Sequence, residues 1–131
     1  MIIGIGTDIV QIKRIEKIFE KYGDSFKARI LSNSEIEKCD SLKSHNHSRF
    51  LAKRFAAKEA ISKAFGTGIR GKLAFKDIII SNDKMGKPIA QIAPDKLTHF
   101  GDKNLQIDLS IADDYPIAIA FSIISFNSNS N

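Results

Sequence analysis

The 131-residue sequence predicts one α+β domain in which an N-terminal strand and several helices precede an antiparallel β-sheet. Three observations predict this class: a β-branched run opens the chain, helical periodicity fills its first half, and strand-like runs separated by turn residues fill its second half. The length suits a single domain, and no linker-like segment divides the chain. We therefore expect one domain over residues 1–126 and a polar flexible tail over residues 127–131.

The first half predicts a strand followed by helices. Residues 2–10 are rich in Ile and Val, with glycines where the backbone can approach another element closely. Residues 11–22 place apolar side chains at helical spacing, and Gly23 is suited to end that helix. The remaining predictions are a short connection over 26–31 and helices over 34–42 and 49–65.

The second half predicts the antiparallel sheet. Its strands are expected over residues 73–81, 88–92, 105–112 and 117–125. Turn residues at 83–87 and 113–116 indicate hairpin connections. Pro94 favours the start of a short helix over residues 93–100.

Composition narrows the class of function. The 20 Lys and Arg residues outnumber the 15 Asp and Glu residues, which favours an anionic partner such as a nucleotide, a nucleic acid or an acidic protein. No basic strand with interleaved aromatic residues supports nucleic-acid binding, and no apolar run reaches the roughly 20 residues of a membrane span. The single cysteine, Cys39, and the lack of a signal-peptide pattern predict a cytoplasmic protein.

Two carboxylates stand in stretches that are otherwise apolar. Asp8 lies within residues 4–10 (GIGTDIV), and Glu59 lies within residues 54–60 (RFAAKEA). Carboxylates are rarely buried unless they are paired or bind a metal, so a shared cation is one interpretation. Mg²⁺ suits it, because this ion takes one or two carboxylates together with water and phosphate oxygens. Two simpler interpretations stay open: Asp8 caps the following helix, and Glu59 lies on a solvated helix face.

Basic residues and glycines surround Glu59 in the sequence. Helical spacing separates them into two sets, Arg49 with Lys53 and Arg54 with Lys58, which cannot share one face. Residues 66–68 (GTG) could present backbone N–H groups to phosphate, or they could simply end the helix. The chain has neither a Walker A loop nor a dinucleotide-binding fingerprint.

These segments together resemble one family. Residues 4–10, 54–60 and 63–68 (KAFGTG) resemble the bacterial holo-[acyl-carrier-protein] synthases, which are small 4′-phosphopantetheinyl transferases. The similarity extends through residues 29–31, 75–80 and 86–88. It implies the 4′-phosphopantetheinyl transferase fold and transfer of the 4′-phosphopantetheine arm from coenzyme A to a serine of apo-acyl carrier protein. Adenosine 3′,5′-bisphosphate would be released, and the reaction would serve fatty acid biosynthesis.

The resemblance also implies roles for individual residues. Asp8 and Glu59 fall at the family's magnesium-ligand positions and form the expected catalytic pair, with Glu59 as the candidate base. The expected cofactor-binding residues, near the phosphates of coenzyme A, are Arg54, Lys58, Lys63, Gly66 and Thr67. The expected docking residues for the acidic carrier protein, on the first helix, are Lys13, Arg14, Lys17 and Lys21. Family members are homotrimers with active sites between adjacent subunits.

One segment departs from the family pattern. Residues 106–112 (QIDLSIA) match a family stretch that carries two histidines, two serines and a threonine near coenzyme A. Only Ser110 remains, and Ile111 can neither donate a hydrogen bond nor carry charge. A second hypothesis is therefore a protein that keeps carrier or nucleotide binding without turnover.

Overall fold

A computed structural model describes residues 1–66, 73–100 and 104–127, except the side chains of residues 99 and 100. The helices are α1 (Ile12–Tyr22), α2 (Asp24–Ile30), α3 (Asn33–Ser41) and α4 (His47–Phe65). The strands are β1 (Ile2–Gln11), β2 (Ile78–Asn82), β3 (Pro88–Ile92), β4 (Asn104–Asp114) and β5 (Ile117–Asn127). Short 3₁₀ helices cover Ser44–Asn46, Phe75–Asp77 and Pro94–Phe100. The predicted α+β class, with an N-terminal strand, helices and antiparallel pairing, is confirmed.

Two antiparallel sheets form within the described residues. The first has the strand order β1-β5-β4, and the second is the β2-β3 hairpin. The first strand of the chain therefore pairs with the last, and Asp8 lies opposite Ala120 in this register. Alternate residues of β5 face the core, from Ala118 to Ile124, as expected when one face of a strand is buried.

The long helix α4 packs across the inner face of the three-stranded sheet. Its small and apolar side chains at Leu51, Ala60 and Ile61 are fully buried. A Cβ atom at Gly4 would lie 1.8 Å from the carbonyl oxygen of Ala64, and one at Gly6 would lie 2.0 Å from that of Ala60. The prediction that glycines here allow a close backbone approach is confirmed, and this approach brings β1 onto α4.

Two predicted elements differ from the structure. Residues 26–31, expected as a connection, belong largely to α2, whose seven residues are too few to show helical periodicity in sequence. The strand expected from residue 73 begins at Ile78, because the Asp77 carboxylate accepts the Ala74 N–H at 2.8 Å and closes a 3₁₀ turn over Phe75–Asp77. The short helix predicted over residues 93–100 is a 3₁₀ helix over Pro94–Phe100.

The C-terminal strand reaches slightly further than expected. Asn127, the first residue of the predicted tail, is the last residue of β5, and its side-chain amide donates to Gln106 Oε1 at 3.2 Å. Residues 128–131 lie outside the described part of the chain. No helix among the described residues combines the length and the hydropathy that a bilayer crossing requires.

Candidate active site

The crossing of β1 and α4 places an acidic and a basic side chain in contact. Asp8 lies near the end of β1, and Lys63 lies in the last turn of α4. The Lys63 ammonium is 3.1 Å from Asp8 Oδ1 and also donates to the Thr7 carbonyl oxygen at 3.1 Å. Because Gly4 and Gly6 let the strand approach the helix, two segments more than fifty residues apart meet at one point.

Glu59 lies on the same side of α4 as Lys63. The two residues are four positions apart, so their side chains project from the same helix face. Glu59 is partly buried rather than enclosed, which leaves its carboxylate at the edge of the core. The two carboxylates that the sequence singled out therefore lie on the two elements that Lys63 bridges.

The end of α4 is set by glycine geometry. Gly66 has φ of +73°, a conformation that favours glycine, and its N–H bonds to the Lys63 carbonyl oxygen. The open alternative that this glycine ends the helix is thus realised. Its neighbour Thr67, also expected to bind cofactor, lies outside the described residues.

The donor set at this crossing suits a hard divalent cation. The Asp8 carboxylate already forms an ion pair with the Lys63 ammonium, so its surroundings favour positive charge. No group of three or more metal-ligating side chains occurs within the part of the chain that the structure describes. One or two carboxylates, completed by water and phosphate oxygens, are the usual ligands of Mg²⁺.

A cleft of about 780 Å³ lies between α4, α1, α2 and the segment 73–78. Phe55 and Ser62, which flank Glu59 at helical spacing, line its α4 wall, and Ile18 and Tyr22 line its α1 wall. By helical spacing, Glu59 therefore lies on α4 between the residues that line this cleft and the position of Lys63.

The first helix carries an exposed basic surface beside this cleft. Ile12 and Ile15 are buried, so the opposite face of α1 is turned to solvent. The four predicted docking residues are all exposed on it: Lys13, Arg14, Lys17 and Lys21. The amphipathic pattern predicted this arrangement correctly.

The other basic residues of α4 pair with acidic side chains, in the two sets that the helical spacing predicted. Arg49 and Lys53 reach Asp113 at 3.5 and 3.8 Å. Arg54 and Lys58 turn inward to Glu35, at 3.2 and 2.8 Å. Both sets therefore form ion pairs with acidic side chains of the same chain.

Arg54 and Lys58 are core residues rather than cleft residues in this structure. Arg54 is 5 % exposed, stacks 4.6 Å from the Phe50 ring and donates to Asn82 Oδ1 at 3.4 Å. Burial lowers the pKa of Arg54 and of Lys58, and the nearby charge of Glu35 opposes that effect for both. The expectation that these two cations face the cofactor's phosphates is not supported by this geometry, since their charged groups point away from open surface.

Among the described residues, the most deeply buried carboxylate is that of Glu35, which the sequence predicted only as part of a helix start. Glu35 is 1 % exposed, and its Oε2 accepts hydrogen bonds from the Ser32 backbone N–H at 3.0 Å and the Ser32 hydroxyl at 2.6 Å. The Ser-x-x-Glu spacing of a capping box was the available signal, and it marks the helix start. Nothing in that spacing shows that two cations converge on the same carboxylate.

Residues 106–112, which depart from the family pattern, lie in β4. Ile111 packs against the core beside Leu109, whereas Gln106 and Asp108 are exposed and bond to each other at 3.1 Å. The residues that replace the family's histidines therefore serve packing and a local hydrogen bond.

Comparison with known proteins identifies the relatives of this chain. Residues 4–120 match the family described as the 4′-phosphopantetheinyl transferase superfamily. A holo-[acyl-carrier-protein] synthase of Orientia tsutsugamushi (strain Ikeda) is 48% identical over 128 residues, which cover 95% of this chain and 98% of that protein. The crystal structure of the Neisseria meningitidis holo-[acyl-carrier-protein] synthase aligns with a TM-score of 0.84 at 41% identity, covering 95% of this chain and 99% of that chain. The Helicobacter pylori synthase in complex with coenzyme A aligns with a TM-score of 0.79 at 38% identity, covering 92% and 99% of the two chains.

Proposed function

This chain belongs to the 4′-phosphopantetheinyl transferase superfamily, and we propose that Asp8, Glu59 and Lys63 form its catalytic centre. The protein is a holo-[acyl-carrier-protein] synthase: it transfers the 4′-phosphopantetheine arm of coenzyme A to acyl carrier protein. The observation that carries the assignment of the centre is the contact between Lys63 and Asp8 where β1 crosses α4, with Glu59 one helical turn before Lys63 on the same face of α4.

The reaction exchanges a phosphoanhydride bond for a phosphate ester bond. The carrier's serine oxygen forms a bond to the phosphorus that bears the pantetheine arm, and the bond from that phosphorus to the bridging oxygen breaks. Adenosine 3′,5′-bisphosphate leaves with the electron pair, and the serine proton must pass to a base. The site therefore has to neutralise phosphate charge, align the hydroxyl and accept a proton.

The residues at the crossing supply these functions. Lys63 brings a cationic group that is partly exposed and can turn from Asp8 to a phosphate oxygen. Glu59 lies on α4 at helical spacing from Lys63 and from the cleft residues Phe55 and Ser62, and we assign its carboxylate to orient the incoming hydroxyl or accept its proton. Gly66 and Thr67 follow Lys63 by three and four positions in the sequence, and we assign them to binding of the same phosphates.

Asp8 and Glu59 are the residues that would hold Mg²⁺. When bound, the ion would supply positive charge that offsets the charge of the pyrophosphate. The donor chemistry supports this assignment, because two carboxylates leave the remaining positions to water and phosphate oxygens.

The carrier protein docks on α1 in this proposal. The exposed basic face of that helix is complementary to an acidic partner, and Ile18 and Tyr22 continue from it into the cleft. A carrier bound there would present its serine toward Glu59.

We propose a homotrimer assembled through the outer face of the three-stranded sheet. That face carries exposed apolar side chains, among them Ile5 at 64 % and Ile9 at 65 % exposure. Its other exposed apolar residues are Ile3, Ile119 and Phe121. A patch of this kind marks an interaction surface, and light scattering of wild type against Ile9→Asp tests whether copies of the chain cover it.

The compartment and pathway follow from the partner. We propose that the enzyme acts in the cytoplasm and serves fatty acid biosynthesis, since its protein substrate is an acyl carrier and Cys39 is a free, buried thiol. Intact-protein mass measurement of apo carrier after incubation with enzyme, coenzyme A and Mg²⁺ tests the activity. We expect the carrier to gain the mass of the arm with wild type and with Glu37→Gln, an exposed control on α3. No gain with wild type under any condition would refute the activity, whereas full activity of Asp8→Asn or Glu59→Gln would refute the assigned centre.

A further inference from the structure

The Lys58 ammonium is buried and hydrogen-bonded to three acceptors. The residue is fully buried, and its ammonium donates to the Ile30 carbonyl oxygen at 2.7 Å, to Glu35 Oε2 at 2.8 Å and to the Phe75 carbonyl oxygen at 2.9 Å. These three bonds use all three N–H donors of the group. Glu35 supplies the negative charge that allows the ammonium to be buried.

The two carbonyl groups belong to two different walls of the cleft. Ile30 is the last residue of α2, where helix carbonyl groups lack partners within the helix and favour a nearby cation. Phe75 lies in the 3₁₀ turn before β2. Both residues line the cleft, and the Phe75 ring also meets the Phe55 ring at 5.9 Å in an edge-to-face contact.

Lys58 therefore links α4 by hydrogen bonds to both of these cleft walls, at Ile30 and at Phe75. An apolar residue of similar length would fill the same space but would leave both carbonyl groups without a donor. The next residue on α4 is Glu59, so the link is made directly beside the proposed catalytic carboxylate.

We propose that Lys58 is a positioning residue that sets the width of this cleft and thereby the affinity for the carrier protein. This inference rests on the proposed docking of the carrier at α1 and the cleft. It assigns Lys58 no contact with coenzyme A, and it predicts that the carrier, rather than the cofactor, senses its loss.

The test compares Lys58→Met with Lys53→Met in the full-length protein. Lys53 is a lysine of the same helix, but its ammonium lies 3.8 Å from Asp113, away from the cleft. Two measurements are made on each: amide hydrogen exchange of the segments 26–31 and 73–78, and steady-state kinetics with varied carrier and varied coenzyme A. Lys58→Gln, which keeps two N–H donors, is measured in the same way and replaces Lys58→Met if that variant does not fold.

We expect exchange in both segments to rise by about tenfold in Lys58→Met, and the carrier KM to rise by about tenfold with kcat and the coenzyme A KM nearly unchanged. Lys53→Met should change neither. A folded Lys58→Met variant with wild-type exchange in both segments would overturn the positioning role. Faster exchange with an unchanged carrier KM would overturn its link to docking. A wild-type enzyme that transfers no arm would instead refute the proposed function, and the exchange rates alone would then decide the positioning role.

Discussion

Gly6→Ala tests the close approach of β1 to α4 on which the whole site depends. The added Cβ would lie 2.0 Å from the Ala60 carbonyl oxygen and 2.8 Å from the Ala64 backbone nitrogen. Both neighbours are backbone atoms of a packed helix, so strand and helix must separate by about 1 Å to relieve the contact. Overpacking of this kind costs about 1–3 kcal/mol, and the stiffer unfolded chain offsets less than about 1 kcal/mol of it. We expect a net loss of about 1–2 kcal/mol.

The same displacement separates Asp8 from the α4 residues that complete the site. A shift of about 1 Å between catalytic groups can lower the rate by about a hundredfold. Urea unfolding measures the stability of Gly6→Ala, and the mass of modified carrier measures its rate at a temperature where the variant remains folded. Gln91→Ala, an exposed strand position on β3, is the control and should match wild type in both. Wild-type activity in Gly6→Ala would refute the claim that this approach positions Asp8.

Three further predictions concern other parts of the molecule. Lys17→Glu should raise the carrier KM severalfold because it reverses one charge of the exposed α1 face, whereas Lys84→Glu in the β2-β3 turn should not. An equal loss of coenzyme A binding in Lys17→Glu would argue against a docking helix. Glu35→Gln should cost about 3–5 kcal/mol in urea unfolding because it leaves two buried cations without their anion, and a loss below about 1 kcal/mol would contradict that role. The hydrogen bond to Asp40 raises the pKa of Lys27 above 10.5, so the stability it contributes is complete below that pH and is lost as pH rises through the higher folded-state value. The stability difference between wild type and Lys27→Met, about 1 kcal/mol at pH 7, should therefore shrink as pH rises above 10.5, and a difference that grows with pH in that range would exclude this pairing.

Local chemistry made much of this fold and part of its site predictable. The apolar periodicity of α1 and α4 reports which face is buried, and glycines in a strand report a close neighbour. Those signals placed Asp8 and Glu59 on elements that do meet. The basic face of α1 was predictable for the same reason. Ile12 and Ile15 must face the core, so the four basic side chains on the opposite side of the helix must face solvent.

The remaining features depend on contacts between distant segments. Sequence spacing shows that Arg54 and Lys58 share a face, but not that the face points inward to Glu35, because partner choice is decided by the packing of α3 on α4. The start of β2 at Ile78 depends on a turn closed by Asp77 and on the Lys58 bond to Phe75. The run of β-branched residues at 78–80 predicts a strand but gives no sign of either contact.

Asp8 and Glu59 are proposed to hold one divalent cation together. Titration of the protein with Mn²⁺ in the presence of coenzyme A, followed by electron paramagnetic resonance, measures this directly. We predict a single Mn²⁺ site in wild type and in Glu37→Gln, and affinity reduced by at least about tenfold in both Asp8→Asn and Glu59→Gln. Unchanged Mn²⁺ affinity in either of those two variants would contradict a shared site.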